Sequence, residues 1–243
     1  MLVFLKDTIK ELRLAIGICA LWFSICFAFC LLHWVQIISF IIKAANIKDA
    51  TFVTKNITSG AFVAINTSFY ISVLLLLPLI CLFIYKFVAL GLFKKERRFF
   101  IATLVSSIIL GFTGVVFGFF VFTPMFLHFF NTLSLIKIGV VSLVDTEHLV
   151  NLYISFCITG LIVFQTPLIV CGLLKLGIIT SEVFTKYRKF YIVIYLIIGA
   201  VITPPDVISQ VLVAFVLWIL TESGFLFFKL INARSFKKLL YKY

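Results

Sequence analysis

Six apolar stretches set the terms on which this chain can fold: positions 14–42, 67–92, 99–130, 150–174, 190–202 and 207–228. A helix that crosses a bilayer needs about 20 mostly apolar residues, and five of the six runs reach or exceed that length. In hydrocarbon each backbone amide must find its partner within its own segment, so runs of this length are read as helices. The expected fold is therefore an all-α integral membrane protein with six transmembrane helices in a single domain over 1–243, with no linker or internal repeat to divide it. Composition agrees. At 63% hydrophobic and 12% charged residues, with a mean hydropathy of +1.24, the chain lies far from the soluble average of about 45–50% apolar and about 25% charged.

The fifth run, Phe190 to Ile202, reaches only about 20 Å against a hydrocarbon core of about 30 Å. The four residues after it support it as a span. In Thr203-Pro204-Pro205-Asp206, the threonine suits an N-cap, proline the first helical position and the aspartate the N3 position of a capping box. Positions 190–228 then form a helical hairpin. Its second arm carries Ser209 and Gln210 near one end and Thr221, Glu222, Ser223 and Gly224 near the other. Both of the last two spans are expected to be short and to thin the bilayer locally. The third run holds Gly111, Gly114 and Gly118, including a GxxxG pair that lets helices approach closely, and Pro124 is expected to kink its outer end.

Charge fixes the orientation. Six spans put both termini on one side, and seventeen of the 21 Lys and Arg fall there, against Lys43, Lys48, Lys55 and Lys137 on the other. Positive residues stay inside, so both termini face the cytoplasm or its organellar equivalent. The basic residues punctuate the apolar runs and form no single patch. The net charge of +12 thus reports topology and anionic lipid headgroups, and nucleic acid is excluded as a partner.

The six cysteines lie inside apolar runs, and His33, His128 and His148 are scattered, so no set has metal-ligand spacing and no cofactor is implied. Neither a phosphate loop nor a GxSxG elbow argues for an enzyme. The N-terminus lacks the layout of a cleavable signal or an Arg/Ser-rich transit peptide, which suggests synthesis in the compartment of use.

In chain order come Glu11-Leu12-Arg13 before span one, Gly91-Leu92-Phe93-Lys94-Lys95-Glu96-Arg97-Arg98 between spans two and three, and Phe117 to Pro124 in span three. Phe164-Gln165-Thr166-Pro167 in span four and Thr203-Pro204-Pro205-Asp206-Val207-Ile208-Ser209-Gln210 before span six complete the series. In order, spacing and topology it resembles the TatC family, the core subunit of the twin-arginine protein translocase, over nearly the whole chain. The sequence departs from the family at Thr8, Ala15 and Leu90, where histidine, a basic residue and proline are usual, and at Val216 and Thr221, where proline and tyrosine are common.

The resemblance implies a receptor for signal peptides bearing two adjacent arginines, working with small single-span TatA- and TatB-type subunits in a homo-oligomeric complex. Folded proteins would be moved by the proton-motive force without ATP. A guanidinium pairs bidentately with a carboxylate in a way lysine cannot copy, and the inner face offers Asp7, Glu11, Glu96 and Glu182. The resemblance selects Glu96 as the main receptor, with Glu11 and Arg13 of the first motif in support. Without it, Glu96 reads as a solvated partner of the cations around it, and Glu11 as an acid favouring a helix start.

Gln165 either repairs the backbone freed by Pro167 or engages a partner in a polar cavity. Glu222 either snorkels to the inner surface or contacts a partner helix. Pro204, Pro205 and Asp206 are read as an outer structural turn. The alternatives to a translocase are a proton-coupled small-molecule transporter, for which repeat symmetry between halves is missing, and an intramembrane enzyme, for which the reactive set is missing. Thirty phenylalanines and only twelve glycines suggest an AT-rich organellar genome. The mitochondrial inner membrane is the expected location, with a bacterial plasma membrane or a plastid membrane as alternatives.

Overall fold

The structure, a computed structural model, describes residues 2–45, 51–54, 58–88, 93–133, 143–202 and 207–240. Side chains are described for all of these except 2–10, 51–52, 94–96, 131–133, 143, 202 and 231–240. Five helical stretches are long and apolar enough to cross a membrane: Glu11–Leu32, Ser59–Val88, Arg97–Phe130, Thr146–Lys175 and Val207–Leu230. Their large apolar side chains stay exposed, Leu32 at 81% and Phe112 at 70%, as lipid-facing positions should. The chain forms two compact units, Met1–Ile108 with Leu127–Ile154, and Ile109–Phe126 with Ser155–Tyr243.

In the first unit, α1 (Leu2–Leu32) packs on α3 (Ser59–Val88). The N-terminal half of α3 buries Ser59, Val63, Ala64, Thr67, Ser68 and Ser72, a seam of small residues of the kind that lets membrane helices approach. Two of its hydroxyls turn back on their own helix, Thr67 to the Val63 carbonyl at 2.7 Å and Ser72 to the Ser68 carbonyl at 2.6 Å. Phe23 meets Phe69 edge-on at 5.6 Å across the pair.

The first apolar run is not one helix. It breaks at His33, whose amide is shared between the Phe29 and Cys30 carbonyls and whose ring stacks on Phe29 at 4.6 Å. Beyond the break, α2 (Trp34–Ala45) buries Ile38, Ile41 and Ala45. Helical spacing puts Gln36, Ser39 and Lys43 on the opposite face. A 29-residue run exceeds what one crossing needs, and the surplus forms this amphipathic helix. A second feature absent from the sequence-based expectation is a short parallel ladder, β1 (Thr51–Val53) with β2 (Leu143–Asp145), in register Thr51 to Leu143 and Val53 to Asp145. Just past β2, the Glu147 amide donates to the Asp145 carboxylate at 3.1 Å as α6 (Thr146–Val163) begins.

The second unit is organised by glycine. The N-terminal part of the third apolar run is α4 (Lys94–Phe117). A Cβ on its Gly114 would come within 2.7 Å of the Gly160 carbonyl carbon, and one on Gly118 within 2.8 Å of the Phe156 carbonyl carbon. The GxxxG pair therefore seats α6 backbone directly. Gly118–Phe122 is a π-turn that leads into α5 (Thr123–Leu133). The expected distortion at Pro124 takes this form. Proline cannot donate to the carbonyl one turn back and its ring crowds it, so the helix widens by one residue just before it. The Thr123 amide reaches back five residues to the Gly118 carbonyl, and its hydroxyl reaches the same oxygen at 2.9 Å.

The fourth span turns at Phe164–Gln165 and resumes as α7 (Thr166–Lys175), with Pro167 in its first turn. After the left-handed Gly177, at φ 71°, Thr180 caps the short α8 (Ser181–Lys186) through the Val183 amide. Phe184 of α8 stacks on Phe225 at 4.5 Å beside Val170 and Leu174.

The expected hairpin is present as α9 (Arg188–Ile202) packed on α10 (Val207–Leu240). A Cβ on Gly199 would meet the Gln210 carbonyl oxygen at 2.8 Å, and the Gln210 amide donates to the Leu196 carbonyl at 3.1 Å. The Tyr195 and Thr221 hydroxyls hydrogen-bond at 2.7 Å. Only α9 is short, at 15 residues. α10 continues through Ser223 and Gly224 to Leu240, because isolated polar residues and a glycine do not stop a helix that packs along its length. The turn Thr203-Pro204-Pro205-Asp206 lies outside the described residues.

Candidate functional site

The expected receptor residues stand on elements that meet at the C-terminal end of α3. Glu11 belongs to α1, where it borders a groove of about 650 Å³ lined also by Ala15 and Cys19 of α1 and by Ile80, Phe83, Lys86 and Phe87 of α3. Arg13, two residues along, is exposed on another face of α1 and does not line the groove.

Glu96 is the third residue of α4, and its side chain lies outside the described part of the structure. The turn that carries it is held from the next residue. The Arg97 Nε donates to the Tyr85 hydroxyl at 2.9 Å, its guanidinium lies 5.7 Å from the Tyr85 ring centre, and Phe100 stacks on that ring at 6.4 Å. The Arg97 amide closes the turn onto the Phe93 carbonyl at 2.9 Å. The last turns of α3 thus offer Phe83 and Phe87 to the Glu11 groove, and Tyr85 to the first turn of α4. Glu182, by contrast, lies exposed on α8, and the side chain of Asp7 is not among those described.

Deeper in the chain, Gln165 is half-buried at the break of the fourth span, with its amide nitrogen over Gly111, 3.2 Å from where a Cβ would stand. It makes no side-chain cap to α7. The carbonyl freed by Pro167 is that of Val163, and it accepts from the Thr166 hydroxyl at 2.6 Å. The Thr166 hydroxyl thus satisfies the carbonyl that the proline frees.

Glu222 has a partner within the chain. Its carboxylate accepts from Arg188 Nη2 at 2.8 Å, with side-chain exposures of 23% and 48%. The Arg188 guanidinium also lies 5.9 Å from the Phe225 ring centre, which Lys229 approaches to 4.6 Å. Tyr85, Arg188 and Thr166 were missed in the sequence. Thr166 carried a signal, being the hydroxyl residue directly before a mid-span proline. Arg188 and Glu222 are 34 positions apart, and no spacing rule links residues at that separation. Among the described residues, no group of three or more His, Cys, Asp and Glu could hold a metal ion.

Lipid-facing helices and glycine-mediated crossings define a polytopic helical membrane protein. The family model for the Sec-independent protein translocase protein (TatC) matches residues 7–215. The TatC protein of Aquifex aeolicus is 32% identical over 241 residues, covering 95% of this chain and 97% of that protein. TatCy of Bacillus subtilis is 29% identical over 225 residues, covering 93% and 88%. A crystal structure of the twin arginine translocase receptor TatC superimposes with a TM-score of 0.74 at 26% identity, covering 92% of this chain and 99% of that one. The chain belongs to the TatC family: it is an integral membrane protein and a receptor subunit of the Sec-independent protein translocase.

Proposed function

We propose that this subunit receives signal peptides with two adjacent arginines through Glu96, with Glu11 as the second carboxylate and Arg13 contacting the peptide backbone beside it. One observation carries the proposal: the inner end of α3 bears both the groove that Glu11 borders and, through Tyr85 and Arg97, the first helical turn on which Glu96 stands. Two carboxylates on fixed helical supports suit two guanidiniums, each taking a bidentate, charge-assisted pair. The four cations next to Glu96 compete for it, which favours a ligand that brings paired guanidiniums over one that brings ammonium groups.

Around this receptor we place six spans in one domain, both termini on the inner side, and the 15-residue α9 as the fifth crossing. Single-span TatA- and TatB-type subunits dock on the lipid-facing helices. Gln165 over Gly111, and Glu222 with Arg188, are the polar points nearest such docking. Several copies assemble, and folded proteins cross at the expense of the proton-motive force. The phenylalanine-rich, glycine-poor composition favours the mitochondrial inner membrane.

The test is photocrosslinking in membranes to a signal peptide with Arg-Arg and to the same peptide with Lys-Lys. Crosslinking should require the arginine pair and fall at least ten-fold in Glu96→Ala, with a smaller fall in Glu11→Ala. Equal capture of both peptides with both glutamates dispensable would defeat the proposal.

A further inference from the structure

Where the apolar stretch Val207–Leu230 of α10 closes, we infer a binding site for one phospholipid of net negative charge, with Lys229 as its chief contact. Phe225, only 1% exposed, stacks on Phe184 at 4.5 Å. Two cations are gathered on its ring, the Lys229 ammonium at 4.6 Å from its centre and the Arg188 guanidinium at 5.9 Å. One carboxylate stands with them, and it is taken: Glu222 accepts from Arg188 Nη2 at 2.8 Å. The ring therefore holds the Lys229 charge in place without neutralising it. The acids of the second unit are Glu182, Asp206 and Glu222. Glu182 is exposed on α8, one turn before Lys186. Val207, the residue after Asp206, begins α10 about 33 Å of helix from Lys229. From Ser223 to Tyr243 the sequence holds Arg234, Lys237, Lys238 and Lys242 besides Lys229, and no Asp or Glu. The residues that follow Lys229 thus add positive charge only.

Depth selects the ligand. Lys229 is the last residue but one of the membrane-crossing stretch, and Leu226, Phe227 and Leu230 around it are exposed apolar side chains. An ammonium at that depth meets the headgroup layer, where the anion is a phosphate diester. Lys229 donates to a phosphate oxygen, and the guanidinium N–H groups that Arg188 does not give to Glu222 donate to the same group. The acyl chains run along the exposed face that Leu226, Ile219 and Phe215 continue at helical spacing. A zwitterionic lipid would bring its own cation to a cluster whose carboxylate is already paired, so the site prefers a lipid of net negative charge. It lies about two helical turns beyond Glu222, leaves the Glu222–Arg188 bond unbroken, and is independent of the arginine-pair proposal.

The test is native mass spectrometry of the full chain released from vesicles of equimolar phosphatidylglycerol and phosphatidylcholine. Wild type should retain one phosphatidylglycerol in preference to phosphatidylcholine. Lys229→Gln should lower that preference about five-fold, the worth of one basic residue at an anionic surface, and Lys229→Arg should keep it. Lys43→Gln removes the same charge from an exposed position on α2 and should leave the preference unchanged. Phe225→Leu keeps every charge but removes the ring, and should lower the preference as well. Thermal unfolding matching wild type certifies the variants; should Phe225→Leu misfold, the exposed Lys229→Gln decides alone. Four results would each overturn the inference: equal retention of the two lipids by wild type, equal effects of Lys229→Gln and Lys43→Gln, displacement of the retained lipid by inorganic phosphate, or, in native membranes, crosslinking of a photoreactive residue at position 230 to a polypeptide instead of a lipid.

Discussion

Tyr85 and Arg97 hold the helical turn on which Glu96, the proposed receptor residue, stands. Phenylalanine at 85 keeps the ring under the guanidinium but removes the hydroxyl that Arg97 Nε uses. Because the contact is exposed, Tyr85→Phe should cost about 1 kcal/mol of stability in micelles. Tyr85→Ala, which also loses the cation–π contact, should cost roughly another 0.5–1 kcal/mol. Chemical unfolding measures both, and arginine-pair crosslinking should fall in parallel. At Glu222 the partner is Arg188 at 2.8 Å. Arg188→Ala leaves a largely covered carboxylate unpaired and should destabilise by about 1.5–3 kcal/mol, more than Glu222→Gln, which keeps an acceptor. A double-mutant cycle should return a coupling of about 1 kcal/mol that shrinks with salt, since Arg188 is half exposed. Glu11 and Glu96 stand in ordered motifs that the sequence displays directly. Tyr85 was not legible there, since a tyrosine near the end of an apolar run looks like an interfacial anchor until its neighbour in space is known.

At the level of helices, the apolar runs and the GxxxG pair were legible because lipid solvation and close backbone approach act directly on residue type. The break at His33 was not. No proline or glycine marks it, and the stacking on Phe29 arises only in three dimensions. The π-turn was half legible: Pro124 announced a distortion but not its form. Glycine contacts make a sharp comparison within one protein. A Cβ on Gly160 would collide with the Gly114 backbone, whereas one on Gly172 would meet nothing within 4 Å. Gly160→Ala should therefore abolish folding or cost several kcal/mol. Gly172→Ala should be neutral or stabilising by up to about 1 kcal/mol through helix propensity. Thermal unfolding in micelles separates the two outcomes. Thr166→Val should strand the Val163 carbonyl and cost about 1–3 kcal/mol by the same assay.

For the whole molecule, the testable property is topology. In a cysteine-free background, single cysteines at Lys242 and Lys189 should react with a membrane-impermeant maleimide only from the inner side, and one at Lys137 only from the outer side. Labelling of Lys189 and Lys242 from opposite sides would mean that α9 and α10 cross an odd number of times. The distribution of Lys and Arg is what predicts this topology, because basic residues in short loops near span ends stay on the inner side. The β1–β2 ladder was not legible, since three-residue strands carry no pattern of their own. It sets an order of events. Thr51 has no partner until Leu143 emerges about ninety residues later. At about 5–20 residues per second of synthesis, that interval is roughly 5–20 s. For that time the strand is an open edge on the nascent chain, and it is fastened only when Leu143–Asp145 arrives.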